Sequence, residues 1–370
     1  MNILDYILWR GDLSFSRDPL NEVDHLVLSE LAYTKMENIV GFDREGKKLP
    51  EILERYNELK YKQTEVGYDP KPALEACAGS VRFGSLTARE YVNVIDTEPV
   101  TQFSAVTFSL DDGTDYIAFR GTDNTIIGWQ EDFHFACSTG TEGQREAAAY
   151  ITYIADRTDR PLRIGGHSKG GHLAVYGAAM CREDIRERIL EIVSCDGPGF
   201  REEFLKSQNF LNIRDKVLLI APESAFIGRM MWMDCPTRII KSSETMFQQH
   251  NPYTWCVIGK QFESCAKFSA FSSYLDETID TWLTNIPDED RMAFVDMIFS
   301  CIHRAGIRTV AEMSANPIKA WNAILSELRD VNPELQKQAG SVIKKLASAG
   351  TSVIWDDVKG IFVKKTEPGS

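Results

Sequence analysis

Four short apolar runs alternate with longer helical stretches through the middle of the chain, and this alternation limits the possible folds more than any other feature of the sequence. The runs are rich in Ile, Leu and Val, as strands of a buried sheet are. Residues 168–181, after the first run, are predicted as a helix. Strands that alternate with helices form a mostly parallel sheet covered by helices on both faces, so the sequence predicts an α/β fold. The four runs are Leu162–Ile164, Ile189–Val193, Val217–Ile220 and Arg238–Ile240.

An antiparallel pair of strands is predicted just before these runs. Val106, Phe108 and Leu110 alternate with small or polar residues, which is the period of a strand. Asp-Asp-Gly follows at 111–113, and a further apolar run follows at 116–119. Because Asp-Gly between two such runs favours a tight turn, the sequence predicts a hairpin here.

Helical segments are predicted on either side of the strands. Apolar residues recur at near-helical spacing in the first 95 residues, and no strand pattern is evident beyond about residue 268. We therefore expect an N-terminal, mainly helical segment packed on the core at 1–100, an α/β core at 101–268 and a C-terminal helical appendage at 269–370. Within the appendage, helices are predicted at 274–283, 288–303 and 317–328.

The composition is that of a soluble globular protein and argues against a nucleic-acid partner and a transmembrane span. The 370 residues are 43% hydrophobic and 26% charged, which suits a packed core. The net charge of -13 opposes binding to nucleic-acid phosphates, which requires a basic surface. No run approaches the roughly 20 apolar residues of a transmembrane helix, and the N-terminus lacks the pattern of a signal peptide. We expect a cytoplasmic protein with no transmembrane span and no nucleic-acid partner.

The eight cysteines agree with a reducing compartment. They are scattered, with no Cys-x-x-Cys pair and no Cys/His cluster at the spacing of zinc ligands. Free thiols explain this distribution. The sequence therefore predicts no metal site.

A Gly-x-Ser-x-Gly motif stands between the first strand and the helix that follows it. It is Gly166-His167-Ser168-Lys169-Gly170, and a strand before it and a helix after it are the context of a nucleophile elbow. The two glycines remove side chains that would collide with the strand and the helix. The turn aims the backbone N–H of Lys169 at the place where an oxyanion would form. Ser168 is therefore the predicted nucleophile and Lys169 a predicted oxyanion-hole donor; the spacing of a phosphate-binding P-loop is not present.

The general base is expected to be a histidine that follows the acid. In folds with this elbow the chain order is serine, acid, histidine, and only His250 and His303 lie far enough downstream. His303 falls within a predicted helix. His250 lies in a loop before Asn-Pro, which fixes a local turn, and it is the predicted base. The other histidines are interpreted as structural: His25, His134, His167 and His172.

Two carboxylates are candidates for the acid of a catalytic triad. Asp196 follows the strand at 189–193, and Glu223 follows the strand at 217–220. Only one is needed to orient the histidine. The acid of this fold class usually follows the second strand after the elbow, which favours Glu223 and leaves Asp196 as the alternative.

Further motifs give the chain a resemblance to lipase-like families. Phe-Arg-Gly-Thr at 119–122, Trp-x-x-Asp-Phe at 129–133 and Gly-His-Ser-x-Gly-Gly at 166–171 resemble the fungal-type, or class-three, triglyceride lipases. A closer resemblance, over roughly residues 3–270, is to a bacterial family of lipase-like proteins with the α/β-hydrolase fold. The motifs of that family stand here at 9–15, 21–24, 28–29, 166–171, 196–200 and 249–255.

The resemblance implies an α/β-hydrolase fold and adds to the predicted site. In the class-three lipases the Ser or Thr after Arg-Gly supplies an oxyanion-hole donor, a role that falls on Thr122. The acid of those lipases aligns near Glu223-Ser224, which again favours Glu223, although the lipase pattern has Asp there. A glutamate can orient an imidazole as an aspartate does.

Together these residues predict a serine hydrolase that acts on carboxylic esters through an acyl-enzyme and needs no cofactor. The expected substrate is a small-molecule or lipid-like ester, and the Met- and aromatic-rich stretch 225–233 is either a wall or lid for its acyl chain or a part of the core. Two alternatives stay open: a hydrolase-fold binding or scaffolding protein with an impaired triad, and a thioesterase or peptidase that uses the same triad. The sequence leaves the oligomeric state open.

Overall fold

The fold is described from a computed structural model. The residues it describes are 1–59, 69–97, 100–122, 126–135, 140–270, 272–273, 288–308 and 323. The strands are β1 (Lys47–Lys48), β2 (Thr87–Thr97), β3 (Val100–Ser109), β4 (Asp115–Phe119), β5 (Leu162–His167), β6 (Ile189–Cys195), β7 (Val217–Pro222), β8 (Thr237–Ile240), β9 (Val257–Ile258) and β10 (Gln261–Phe262). The helices are α1 (Ile3–Arg10), α2 (Glu22–Leu31), α3 (Leu49–Leu59), α4 (Lys71–Ala78), α5 (Val81–Gly84), α6 (Ile126–His134), α7 (Glu142–Ala155), α8 (Lys169–Met180), α9 (Glu183–Arg188), α10 (Glu202–Leu205), α11 (Gln208–Leu211) and α12 (Asp288–Arg304).

A mixed sheet forms the centre of the described part of the chain, with its strands in the order β1 to β8. Strands β1 to β4 are antiparallel neighbours, and β4 to β8 are parallel. The predicted hairpin is confirmed, since β3 and β4 pair Ser109 with Asp115 across the Asp-Asp-Gly turn. The four runs predicted as strands are β5 to β8, and the α/β class is confirmed.

Helices cover both faces of the sheet, and each face has its own apolar core. On β4, Ile117 and Phe119 pack with α7 and α8, whereas Tyr116 and Ala118 pack on the opposite side with α2. Neighbouring side chains of a strand point to opposite faces. A strand buried on both faces therefore needs a continuous apolar run, which explains the runs seen in the sequence.

The parallel register brings the carboxyl ends of three neighbouring strands to one edge. His167 of β5 pairs with Cys195 of β6, and Cys195 pairs with Ile220 of β7. The residues that follow β5 and β6 are Ser168 and Asp196. These two residues therefore lie on adjacent strands at the same edge of the sheet.

The N-terminal segment contributes to the sheet as well as to a helical layer. Its helices α1 and α2 begin after Asn2 and Asn21, and each asparagine side chain accepts backbone N–H bonds from the first turn. The same segment, expected to be mainly helical, also contains the long strand β2. A register shift between Arg89 and Val92, with Glu90 at a φ of 54°, breaks the alternation that would have identified this strand.

Part of the C-terminal appendage is described. The helix predicted at 288–303 is confirmed as α12, whereas the predicted helices at 274–283 and 317–328 lie outside the described residues, apart from residue 323. In α12, Phe299 packs on Phe133 of α6 with ring centroids 5.7 Å apart. No helix in the described residues combines the length and apolar character needed to cross a membrane.

A buried ion pair fixes the N-terminal loop to the helices. The guanidinium of Arg82 donates to both carboxylate oxygens of Asp24, at 2.8 and 2.5 Å, and both side chains are fully buried. The remaining guanidinium N–H groups donate to backbone carbonyls of Leu13, Asp18 and Pro19. The loop before α2 is thereby tied to α5.

Loss of this arginine is expected to destabilise the fold. Arg82→Met leaves Asp24 buried without its cation, which costs about 3–5 kcal/mol of the free energy of unfolding. Urea unfolding followed by circular dichroism measures the change. The control is Arg182→Met, because Arg182 pairs with Asp156 at the surface and both side chains are about half exposed. Equal destabilisation by the two variants would contradict the prediction.

Candidate active site

Ser168 lies on a strained turn between β5 and α8. Its φ of 58° and ψ of −134° are a combination that few residues other than glycine adopt. At this turn the first residues of α8 lie in close contact with the ends of β4 and β5. A Cβ on Gly170 would lie 2.1 Å from the carbonyl oxygen of Phe119, and a Cβ on Gly166 would lie 2.2 Å from the carbonyl carbon of Gly170. No side chain fits at either position, so the geometry is that of the predicted elbow.

His250 ends a 3₁₀ turn at residues 246–250 and reaches the elbow from a distant part of the chain. Its Nε2 lies 3.0 Å from Oγ of Ser168. The turn is held by its own neighbours, since the indole N–H of Trp255 donates to the carbonyl of Gln249 at 2.8 Å. The Asn251 side chain accepts the N–H of Tyr253, which fixes the Asn-Pro turn. The predicted histidine and the predicted nucleophile are therefore in hydrogen-bonding contact.

Asp196 contacts the other ring nitrogen of this histidine. Its Oδ2 lies 2.6 Å from Nδ1 of His250, and its side chain is almost fully buried. The second oxygen, Oδ1, accepts the backbone N–H of Gly228 at 3.0 Å. Burial raises the pKa of Asp196, while its hydrogen bond to His250 opposes that rise. The carboxylate therefore has a partner on each oxygen.

The preference for Glu223 as the partner of His250 is wrong. Its side chain lies 3.1 Å from the thiol of Cys265, which donates to it, and its backbone N–H donates to the carbonyl of Ile240. Glu223 follows β7, which is separated from β5 by β6, and each strand adds about 4.8 Å. Asp196 follows β6, the immediate neighbour of the strand that carries Ser168. The alternative acid is therefore the one that the structure brings to the histidine.

The hydrogen bonds fix which ring nitrogen of His250 carries the proton. An ionised carboxylate only accepts hydrogen bonds, so Nδ1 of His250 carries the proton that points to Asp196. Nε2 is then left as an acceptor for the hydroxyl of Ser168. This is the arrangement in which a serine hydroxyl can lose its proton to an imidazole as it attacks.

The predicted oxyanion-hole residues lie on both sides of Ser168. Lys169 is the first residue of α8, and the first N–H groups of a helix have no carbonyl partner within the helix. A Cβ on Gly121 would lie 3.0 Å from Cβ of Ser168, so the chain just before Thr122 packs closely against Ser168. The hydroxyl of Thr122 donates to Oδ2 of Asp132 at 2.5 Å.

A second histidine, His167, contacts the backbone of His250. His167 is buried, its Nε2 lies 3.0 Å from the backbone carbonyl of His250, and the hydroxyl of Tyr33 lies 3.1 Å from its Nδ1. A carbonyl only accepts, so Nε2 donates and Nδ1 accepts from Tyr33. Burial, with a smaller contribution from His250, lowers the pKa of His167 and keeps its ring neutral. It therefore anchors the backbone of the His250 turn.

The remaining histidines have contacts elsewhere. His172 stacks between Phe135 and Phe200, with ring centroids 4.2 and 4.1 Å away, and burial lowers its pKa to about 3. His25 lies 3.2 Å from the Tyr116 hydroxyl. Their contacts match their interpretation as structural residues.

The stretch at 225–233 belongs largely to the interior. Ala225, Met230 and Met231 are buried, and a 3₁₀ turn at Ile227–Arg229 lies between them. The N–H of Gly228 in this turn is the one that holds Asp196. These contacts favour packing over an acyl-chain lid and add a role in orienting the acid.

Three residues that contact the site were not predicted to do so. Gly228 donates its backbone N–H to Asp196, and a Cβ there would lie 2.3 Å from the same carboxylate oxygen, but a glycine in the sequence does not indicate which group it contacts. His167 stands in the elbow motif, but its contact with the His250 carbonyl depends on two segments 83 residues apart. Asp132 is the aspartate of Trp-x-x-Asp-Phe, so the motif marked it without indicating its partner.

The fold and the site together define the class of the protein. A mostly parallel sheet with a serine on a strand-to-helix elbow, next to a histidine and an aspartate, is an α/β-hydrolase architecture. The sequence profile of the Mbeg1-like family matches residues 77–300, and the chain belongs to this lipase-like family. The predicted family resemblance is confirmed, and a hydrolase-like function follows at this level.

Comparison with other proteins gave distant structural likenesses. No curated protein matched the chain. Among solved structures, the chain is similar to a fungal lipase–inhibitor complex at 16% identity, with a TM-score of 0.34 over 55% of this chain and 70% of that one. It is similar to the native Rhizomucor miehei lipase propeptide complex at 15% identity, with a TM-score of 0.36 over 51% and 71%. It is also similar to M37 lipase at 16% identity, with a TM-score of 0.33 over 55% and 68%.

The close contact at the elbow predicts the effect of adding one methyl group. Gly170→Ala places a Cβ against the backbone of β4 and is expected to lower the free energy of unfolding by about 1–3 kcal/mol or more. The matched control is Gly79→Ala, because a Cβ at Gly79 meets the carbonyl oxygens of Glu75 and Ala76 at ordinary distances of 3.5 and 3.8 Å. Thermal unfolding of both variants tests this. A Gly170→Ala variant as stable as Gly79→Ala would show that the elbow is looser than described.

Proposed function

We propose that the protein is a serine hydrolase of carboxylic esters with Ser168 as nucleophile, His250 as general base and Asp196 as the acid of the triad. One observation carries this proposal: the continuous hydrogen-bonded chain from Ser168 Oγ through both ring nitrogens of His250 to a buried carboxylate, at 3.0 and 2.6 Å. A packing role alone requires no such alignment, because a solvated loop histidine has many other orientations. The strained backbone of Ser168 supports the same assignment.

The reaction follows from the positions of the protons. His250 Nε2 takes the Ser168 proton as Oγ bonds to the ester carbonyl carbon, and the carbonyl π-electrons move to its oxygen. Collapse of this intermediate breaks the bond to the alcohol, which receives the proton from His250 and leaves an acyl-serine. Water, activated by the same histidine, then releases the acid and restores the hydroxyl. No metal or organic cofactor is needed at any step.

Negative charge on the carbonyl oxygen is stabilised by the elbow. The Lys169 N–H is the donor on the α8 side, where the positive end of the helix adds to its effect. We assign the second donor to Thr122, whose preceding glycine touches Ser168 and whose side chain is held by Asp132. A single donor of this type commonly contributes about 3–4 kcal/mol to catalysis.

An ester with an apolar acyl group is the substrate class that we propose. The membership in a lipase-like family supports it, as does a triad mechanism that requires no charged group in the substrate. The interior packing of 225–233 limits the room for a long acyl chain on that side. We therefore place a small-molecule or short lipid-like ester ahead of a long-chain triglyceride.

The nucleophile is tested with a covalent probe and an ester together. The wild type is expected to react with a fluorophosphonate and to hydrolyse p-nitrophenyl butyrate, and Ser168→Ala is expected to do neither because the attacking oxygen is gone. Mass spectrometry of the labelled peptide identifies the modified residue. Folded wild-type protein that reacts with neither reagent would favour the binding or scaffolding alternative over a hydrolase.

The acid is tested by two isosteric variants. Asp196→Asn removes the negative charge that orients His250 and is expected to slow fluorophosphonate labelling by about 10³–10⁴-fold. Glu223→Gln is the matched control and is expected to label at close to the wild-type rate, because Glu223 bonds with Cys265 instead. Second-order labelling constants at pH 7.5 give the comparison. A large loss in Glu223→Gln with little loss in Asp196→Asn would reverse the assignment.

A further inference from the structure

The side chain of Lys169 lies inside the protein although its backbone belongs to the elbow. The residue is 1% exposed, and its Nζ donates to Oε2 of Glu131 on α6. The ring of Phe135 lies 5.9 Å from the ammonium. A lysine is almost never fully buried unless it is paired. The mechanism uses only the backbone of Lys169, so the buried ammonium calls for a separate explanation.

Glu131 connects this ammonium to two other parts of the fold. Its Oε2 also accepts the backbone N–H of Gln102 on β3 at 2.8 Å, and its Oε1 accepts the backbone N–H of Gly143 on α7 at 2.9 Å. The carboxylate is fully buried and receives donors from β3, α7 and α8. Charge-assisted bonds of this kind are the strong ones, so α6 is fixed in place where Lys169 meets it.

The next residue of α6 contacts the proposed oxyanion hole. Asp132 Oδ2 accepts the hydroxyl of Thr122, and its Oδ1 lies 3.9 Å from Nζ of Lys169. Burial raises the pKa of Asp132 to about 7, and the Lys169 ammonium and the Thr122 bond oppose that rise. The neighbouring Glu131 carboxylate adds to the rise, and His250 lowers it slightly. On the outer side of α6, His134 pairs with Asp296 of α12 at 2.8 Å.

We propose that Lys169 is a positioning residue for the oxyanion hole: its ammonium holds the two carboxylates of α6 so that Asp132 fixes Thr122 beside Ser168. Lys169 would then have two roles. Its backbone N–H donates to the oxyanion, and its ammonium positions Asp132, which holds Thr122. The catalytic consequence of this proposal rests on the proposed hydrolase function. The effect of the Lys169 ammonium on the ionisation of Asp132 does not depend on that function.

The ionisation state of Asp132 links this arrangement to pH. An ionised Asp132 accepts the Thr122 hydroxyl through a charge-assisted bond, which is roughly twice as strong as a neutral one. Without the Lys169 ammonium, Asp132 has the like-charged Glu131 beside it, and among the residues that the structure describes no other cation lies within 4 Å of its carboxylate. A nearby opposite charge lowers a carboxyl pKa by about 1–3 units. Removal of the ammonium therefore extends the protonated form of Asp132 to higher pH.

The experiment measures fluorophosphonate labelling against pH in five variants. In Lys169→Met the pH of half-maximal labelling is expected to rise by about one unit or more, so labelling below the midpoint falls about tenfold. Glu131→Gln is expected to shift the midpoint to lower pH, because it removes the like charge; this variant keeps the test available if Lys169→Met does not fold. In an Asp132→Asn background, Lys169→Met is expected to cause no further shift, since the titrating group is gone. Lys206→Met is the control, because Lys206 pairs with Glu202 on the surface of α10.

A structural role would give a different result. If Lys169→Met lowers the melting temperature while its midpoint stays at the wild-type pH, or if the shift persists in the Asp132→Asn background, the proposal is overturned. If wild-type protein does not label at all, the proposed function fails, and the pH dependence of stability still tests the contacts of Lys169, Glu131 and Asp132.

The folded protein keeps the Asp132 proton up to about pH 7, whereas the unfolded chain loses it near pH 4. Its contribution to stability is thus complete below about pH 4 and lost as the pH rises toward 7, and Asp132→Asn should make the decline of stability over this range smaller by that contribution.

Discussion

The site depends on one steric constraint, the contact of the first turn of α8 with the ends of β4 and β5. Gly170 lies against the carbonyl of Phe119 so closely that no Cβ fits between them. This contact holds Ser168 in a strained backbone and points the first N–H groups of α8 at the same region as the serine. It also fixes where the chain leaves β4, and hence where Gly121 and Thr122 lie. The positions of the proposed nucleophile and of the proposed oxyanion hole therefore depend on a single packing contact.

Around this contact, buried charged groups define the positions of helices and loops more narrowly than apolar packing does. Apolar side chains fill the layers on both faces of the sheet, but many arrangements of similar volume pack equally well. A buried carboxylate with three donors, such as Glu131, has far fewer satisfactory positions. The same reasoning applies to Asp24 and Arg82 in the N-terminal segment. In both places a loop or helix is held by ionic hydrogen bonds where its position has to be defined.

Most of the fold, and two of the three residues proposed as a triad, could be predicted from local sequence. Strands β5 to β8 and the hairpin before them are continuous or alternating apolar runs, and Ser168 stands in a motif whose spacing has a steric cause. Strand β2 was missed because its bulge at Glu90 interrupts the alternation. The sequence favours Glu223 as the acid because it gives the position of a residue along the chain and not its position across the sheet. Which of two strand ends lies under His250 depends on the register of β5, β6 and β7, and on Gly228, whose contribution is made by the backbone alone.

The sequence by itself determined the class of fold and indicated Ser168 and His250, because each depends on residues close together in the chain: apolar runs, two glycines around a serine, and an Asn-Pro turn. Only the tertiary structure decided which carboxylate contacts His250, the support of His250 by His167 and the inward path of the Lys169 side chain. These are contacts between segments tens of residues apart, and their energies depend on burial and on hydrogen-bond geometry. A carboxylate has the same appearance in a sequence whether it faces a thiol, as Glu223 does, or an imidazole, as Asp196 does.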